Sequence, residues 1–146
     1  MAGCLIKAGY SPVASPERAD FIIVNTCSFI KDAIDESLRV ISELAQLKSQ
    51  PGSKVGAKLI VTGCLVDRFK HESEKLAQGV DLWIPGNMQP ELPDILQRIE
   101  SHRLQKIQFE DQTYIYRERE LGSFVRRSYA YIKISEGCNR PCSFCV

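Results

Sequence analysis

The chain has 146 residues, of which 44% are hydrophobic and 25% charged, and its formal net charge is +1; this is globular composition at the size of about one domain of roughly 100–200 residues. A balance so close to neutral excludes a surface given over to nucleic acid or an anionic membrane, so any such contact would have to come from a local patch or from a part not present here. The longest apolar runs, such as residues 21–24 and 59–61, are strand-sized and far short of the ~20 residues that span a bilayer, and residues 1–10 lack a secretory signal, which predicts a soluble, cytoplasmic protein without a membrane partner.

Residues 2–8 read as the last turns of a helix, with Gly9 as its C-terminal stop. Residues 19–25, Ala-Asp-Phe-Ile-Ile-Val-Asn, form a continuous β-branched and aromatic run, the pattern of a strand buried on both faces in a parallel sheet. Ile30, Ala33, Ile34, Ser37, Leu38, Ile41, Leu44 and Ala45 then recur at three- and four-residue steps, predicting an amphipathic helix that ends before Pro51-Gly52. A second buried strand is expected over residues 58–62, a polar helix from about Asp67 to Gln78, and a third strand over residues 80–84, stopped by Pro85-Gly86. Leu92, Ile95, Leu96 and Ile99 mark a further helix.

Strands alternating with helices over short connections predict an α/β fold, a parallel sheet flanked by helices with right-handed crossovers. A helix at the very start implies that a preceding strand is missing or that the numbering begins inside a longer protein. From about Ser101 the pattern changes. Residues 107–109 and 114–117 read as short strands, and the charged stretch 117–127 as a linker. Residues 129–134 read as a strand of a different unit, followed by a loop rich in cysteine. The expected division is therefore 1–105 as an α/β domain truncated at its start, 106–127 as a linker with short strands, and 128–146 as the opening strand and loop of a second, truncated domain.

Six cysteines, at positions 4, 27, 64, 138, 142 and 145, are the unusual feature. An even count in a small secreted chain would indicate disulfides, but three of these lie within eight residues and no signal peptide precedes them, which favours metal or cluster ligation. Cys138, Cys142 and Cys145 have the spacing C-x3-C-x2-C. Three thiolates so placed can hold a [4Fe–4S] cluster and leave one iron without a protein ligand, whereas a structural zinc site needs four protein ligands. Half of a zinc site, completed elsewhere, is the alternative. Cys27 and Cys64 each follow a predicted buried strand by two residues. Ligands of an open parallel sheet bind at the carboxyl ends of its strands, so these two thiols are expected to be neighbours there; either one alone reads as a small buried hydrophobe.

The triplet on the loop after a strand, with Phe144 just before its last cysteine, resembles the radical S-adenosylmethionine superfamily. The resemblance implies that Cys138, Cys142 and Cys145 ligate a [4Fe–4S] cluster, that S-adenosylmethionine chelates the open iron, and that Phe144 lies beside its adenine. Reductive cleavage by an external electron donor then yields a 5′-deoxyadenosyl radical that abstracts hydrogen from a C–H bond. Residues 19–30, Ala33, Glu36-Ser37, Val61-Thr-Gly-Cys-Leu65 and Ser135-Glu-Gly-Cys138 with the triplet resemble, in this order, the methylthiotransferase family. That family attaches a methylthio group to a tRNA adenosine or to a ribosomal protein, and has an N-terminal α/β domain, a radical S-adenosylmethionine barrel and a C-terminal RNA-binding-type domain. The resemblance implies that Cys27 and Cys64 ligate a second [4Fe–4S] cluster associated with sulfur delivery, its third ligand belonging to the missing first strand. Cys4 falls in the segment matching the family's first helix and is expected in the core.

Phe29-Ile30, Ala33 and Glu36-Ser37 resemble the RimO branch, which modifies the β-carbon of an aspartate in the twelfth small-subunit ribosomal protein. The MiaB branch, which modifies tRNA, tends to carry a basic residue where Ile30 stands. Two readings of other classes stay open on the residues alone: an iron–sulfur electron carrier, which would need four protein ligands per cluster, and a zinc-binding interaction module. His71 and His102 read as solvated surface, Trp83 and Tyr131 as sheet residues, and Arg117, Arg119, Arg126 and Arg127, interleaved with Glu118 and Glu120, as a solvated linker.

Overall fold

In the computed structural model the described residues are 1–102 together with Arg140 and Ser143. They hold a parallel sheet in the order β1–β2–β3, formed by Phe21–Thr26, Lys58–Gly63 and Leu82–Ile84. The α-helices are α1 (Ala2–Lys7), α2 (Lys31–Lys48), α3 (Cys64–Phe69) and α4 (Leu92–Glu100). The expected second unit, the linker and the C-terminal cysteine loop fall outside the described residues.

The strand sequences explain the layering. Successive side chains of a strand point to opposite faces. Ile22, Leu59, Val61 and Trp83 face one way and form a core with Ile41 of α2 and Leu65 and Val66 of α3. Ile60, Leu82 and Ile84 face the other way, onto Leu92, Ile95 and Leu96 of α4, with Leu5 of α1 and Phe21 and Ile23 of β1 at the margin. Both faces of the sheet are thus covered, as the unbroken apolar runs require. Tyr10 meets Phe21 edge-on, the ring centroids 6.0 Å apart, and fastens the turn after α1 to the first strand.

Helix ends follow local chemistry. Beyond α1, Gly9 at φ 92° lets its own N–H bond Ile6 O at 2.9 Å and that of Tyr10 bond Leu5 O at 3.0 Å, so the left-handed residue closes the helix as its sequence predicts. The third helix departs from expectation. It starts at Cys64, directly after β2, ends as an α-helix at Phe69, and continues as a 3₁₀ turn over Lys70–Lys75. Two backbone angles explain the shift: Gly63 at φ 101° turns the strand straight into the helix, and Lys70 at φ 42° breaks the α repeat.

At the amino edge of the sheet, Asp81 ties three segments together. Its carboxylate accepts the Leu59 N–H at 2.7 Å, Lys48 Nζ of α2 at 2.5 Å and Lys58 Nζ at 3.3 Å. Lys48 also donates to Gly79 O at 2.8 Å. Burial works to raise the Asp81 carboxyl, but the Lys48 ammonium, the Leu59 N–H and the Lys58 ammonium outweigh it and hold the group below its usual range.

A lowered folded-state value means that Asp81 contributes stability when ionised, and that this contribution fades as pH falls through the folded value. Asp81→Asn is expected to lose about 1–3 kcal/mol at neutral pH, the range of hydrogen bonds to a charged group. Urea unfolding of both proteins along a pH series checks this: the gap should be full above pH ~4, the ordinary carboxylate value, and close below it.

Candidate metal centre at the carboxyl edge of the sheet

The register of β1 on β2 decides what stands at the carboxyl edge. Asn25 lies opposite Thr62 and Thr26 opposite Gly63. The next residue on each chain is a cysteine, Cys27 on one and Cys64 on the other, and both thiols are free and exposed. The two thiols that the sequence placed two residues past their strands therefore follow them directly, at matching levels. Cys27 opens an irregular turn into α2, whereas Cys64 is the first residue of α3.

Polar groups lace the two turns together. Thr26 is buried; its Oγ1 donates to Thr62 O at 2.7 Å and accepts the Leu65 N–H at 3.3 Å. Ser28, only 4% exposed, donates through Oγ to Cys64 O at 3.0 Å. Arg68 of α3 reaches back, its Nη1 donating to Ser28 O at 3.1 Å, while its guanidinium lies 5.5 Å from the centroid of the Phe69 ring. Ser37 of α2 donates to Ala33 O at 2.7 Å and approaches Cys27 O at 3.4 Å.

Gly63 is the hinge. Its φ of 101° and ψ of −166° belong to a region that is essentially glycine-only. A Cβ there would stand 2.5 Å from Thr26 O and 2.8 Å from Asn25 Oδ1. The same Asn25 Oδ1 accepts from Gln89 Nε2 at 2.9 Å, which joins the turn after β3 to this edge. On α3, Asp67 accepts the Gly86 N–H at 2.7 Å. Partial burial away from water pushes the Asp67 carboxyl up, and the Gly86 N–H and the Lys70 charge pull it back only in part.

Of the candidate ligands, Cys27 and Cys64 directly follow the paired strand ends Thr26 and Gly63. Cys4 does not join them, and it is only half-buried, contrary to the core position expected for it. The six-residue α1 buries no residue fully, and Leu5 rather than Cys4 supplies its contact with the core. Among the described residues no group of three His, Cys, Asp or Glu side chains is placed to hold a metal ion. Two exposed thiols at one level fit a thiophilic iron–sulfur group as part of its donor set, with further ligands required from elsewhere. Cys138, Cys142, Cys145 and Phe144 lie outside the described residues. Trp83 is buried in the sheet and His71 and His102 are exposed, as their sequence contexts predict.

Residues 1–85 match the family described as "Uncharacterized protein family UPF0004". The chain belongs to this family. Its curated relatives include proteins named "Ribosomal protein uS12 methylthiotransferase RimO" from Trichlorobacter lovleyi, 40% identical over all of this chain and 32% of the relative, and from Bdellovibrio bacteriovorus, 36% identical with the same coverage. The relative of that name from Thermotoga maritima is 39% identical over 99% of this chain and 32% of its own length. The chain thus spans about a third of the length of the curated relatives it matches. The resemblance to methylthiotransferases, and to their RimO branch, is borne out. No solved structure matches.

Sequence reasoning assigns no individual role to Thr26, Ser28, Gly63 or Arg68. Gly63 carried a signal, a glycine closing a β-branched run immediately before a cysteine. Arg68 carried none, because its acceptor lies 40 residues away in the chain. Gly63→Ala is expected to cost at least the ~1–3 kcal/mol of a glycine-only conformation, and to expel one strand end from the other. Chemical denaturation of the variant checks the first, and loss of amide-exchange protection at Leu65, whose N–H bonds Thr26, checks the second.

Proposed function

We propose that this chain is the amino-terminal part of a ribosomal-protein methylthiotransferase, in which the carboxyl edge of the sheet contributes Cys27 and Cys64 to a [4Fe–4S] cluster. The observation that supports this reading is the strand register, which pairs Thr26 with Gly63, the residues just before the two cysteines. The names of the relatives supply the reaction class and the substrate, a methylthio transfer onto ribosomal protein uS12. In this reading residues 1–105 form the α/β domain, 106–127 the linker, and 128–146 the start of a radical S-adenosylmethionine domain.

There, Cys138, Cys142 and Cys145 would hold the cluster that binds S-adenosylmethionine, Phe144 would contribute to the site of that cofactor, and an external donor would supply the electron. Bound together, the two clusters and S-adenosylmethionine supply a hydrogen-abstracting radical and a source of sulfur. The part taken by the described residues is to present two thiols and hold their turns still. Cytoplasmic location follows from a ribosomal-protein substrate, and no helix among the described residues is long and apolar enough to cross a membrane.

Anaerobic reconstitution of the full-length protein with iron and sulfide tests the assignment. Cys27→Ala or Cys64→Ala is expected to lower bound iron by about four atoms per chain, one cluster's worth, to preserve formation of 5′-deoxyadenosine, and to abolish methylthio transfer to uS12. Unchanged iron and undiminished transfer in both variants would overturn it. Mass spectrometry of ribosomal protein and of tRNA from a deletion strain reads the substrate: loss of the modification from tRNA alone would reassign the protein to the tRNA-modifying branch.

A further inference from the structure

Two hydrogen bonds run in opposite directions between the cysteine turns. Ser28, the residue after Cys27, donates its hydroxyl to the carbonyl of Cys64 at 3.0 Å. Arg68, one turn along α3 from Cys64, donates to the carbonyl of Ser28 at 3.1 Å. The partners are 36 and 40 residues apart in the chain, so nothing local forces them together. Together they close a ring: Cys27 is bonded to Ser28, Ser28 holds the Cys64 backbone, and the helix that begins at Cys64 returns Arg68 to Ser28.

Ser28 is nearly fully buried although both its chain neighbours, Cys27 and Phe29, are exposed. A buried hydroxyl is retained when it is bonded, and its loss leaves the opposing carbonyl without that donor. The bond from Arg68 is charge-assisted, which makes it the stronger of the two. Neither side chain offers a donor atom suited to the thiophilic group itself. Their place is around the ligands, where partners of this kind fix orientation.

We infer that Ser28 and Arg68 are positioning residues that set the separation of the Cys27 and Cys64 thiols before any metal arrives. The inference rests on the reading of those thiols as co-ligands, and goes beyond it by assigning their spacing to two residues that are not ligands.

Thiol bridging tests it without iron. In the 146-residue chain with Cys4, Cys138, Cys142 and Cys145 changed to serine, dibromobimane alkylates one thiol and then the other, each thiolate displacing one bromide. The rate of the second step relative to alkylation by monobromobimane reports how closely the two thiols are held. Ser28→Ala and Arg68→Met, each of which removes the donor, are each expected to slow bridging about tenfold, the worth of one such hydrogen bond. Ser28→Thr and Arg68→Lys, which keep a donor, should restore most of the rate.

Val66→Ala is the control, since Val66 is buried in α3 but belongs to the apolar core. Equal slowing in Val66→Ala at matched thermal stability would overturn the assignment, because the effect would then follow from loosened packing. Bridging at the parent rate in Ser28→Ala and Arg68→Met would overturn it as well. Absence of bridging in the parent would overturn the co-ligand reading itself, and so the two failures are distinguishable.

Discussion

The parallel pairing of β1 with β2 is the constraint on which the rest of this structure depends. Side chains alternate along a strand, and a slip of one residue would exchange the two faces of the sheet. Here Ile22 and Val24 must meet the α2 layer while Phe21 and Ile23 turn toward α4, and the same division holds for Leu59 and Val61 against Ile60. Apolar patterning on both strands therefore fixes one register. That register sets Thr26 against Gly63 and brings the two cysteine turns level. Packing in the core, with no contribution from the thiols, determines where the thiols stand.

The two edges of the sheet divide the work. The amino edge is held by charge: Asp81 gathers Lys48, Lys58 and the Leu59 N–H, and stitches α2 and the approach to β3 onto the central strand. The carboxyl edge is held mainly by neutral donors and carbonyls, Thr26, Ser28, Gln89 and Asn25, with the Arg68 guanidinium reaching in as well. Backbone carbonyls and hydroxyls supply most of the bonds that lace the turns.

Much of this was legible in the sequence, and for a physical reason. The β-branched runs at 21–24 and 59–61 exceed any helical pattern in their windows, and the three-to-four spacing from Ile34 to Ala45 admits one face only, so the parallel α/β sheet followed. The edge at which Cys27 and Cys64 follow their strands was legible because strand ends in such a sheet share one edge. The start of α3 was not. Its onset depends on the dihedral angles of Gly63, and the polar residues 70–75 look helical by composition although Lys70 at φ 42° ends the α repeat. Cys4 was misplaced because helical periodicity over so few residues cannot say which side is buried. Ser28 and Arg68 were invisible because their bonds are tertiary.

The separation of core from thiols bears on how such a site is assembled. In a small metal-dependent domain the ion supplies the folding energy, and the apo chain is unfolded. Here Ile41, Leu59, Ile60, Val61, Leu65, Ile84, Leu92 and Leu96 are fully buried without any help from Cys27 or Cys64, which stand exposed beyond the last ladder residues. The strand register, the glycine hinge and the bonds from Thr26, Ser28 and Arg68 involve neither thiol group. The forces that order this edge are therefore those of the core and the backbone, and a substitution confined to either thiol leaves them in place.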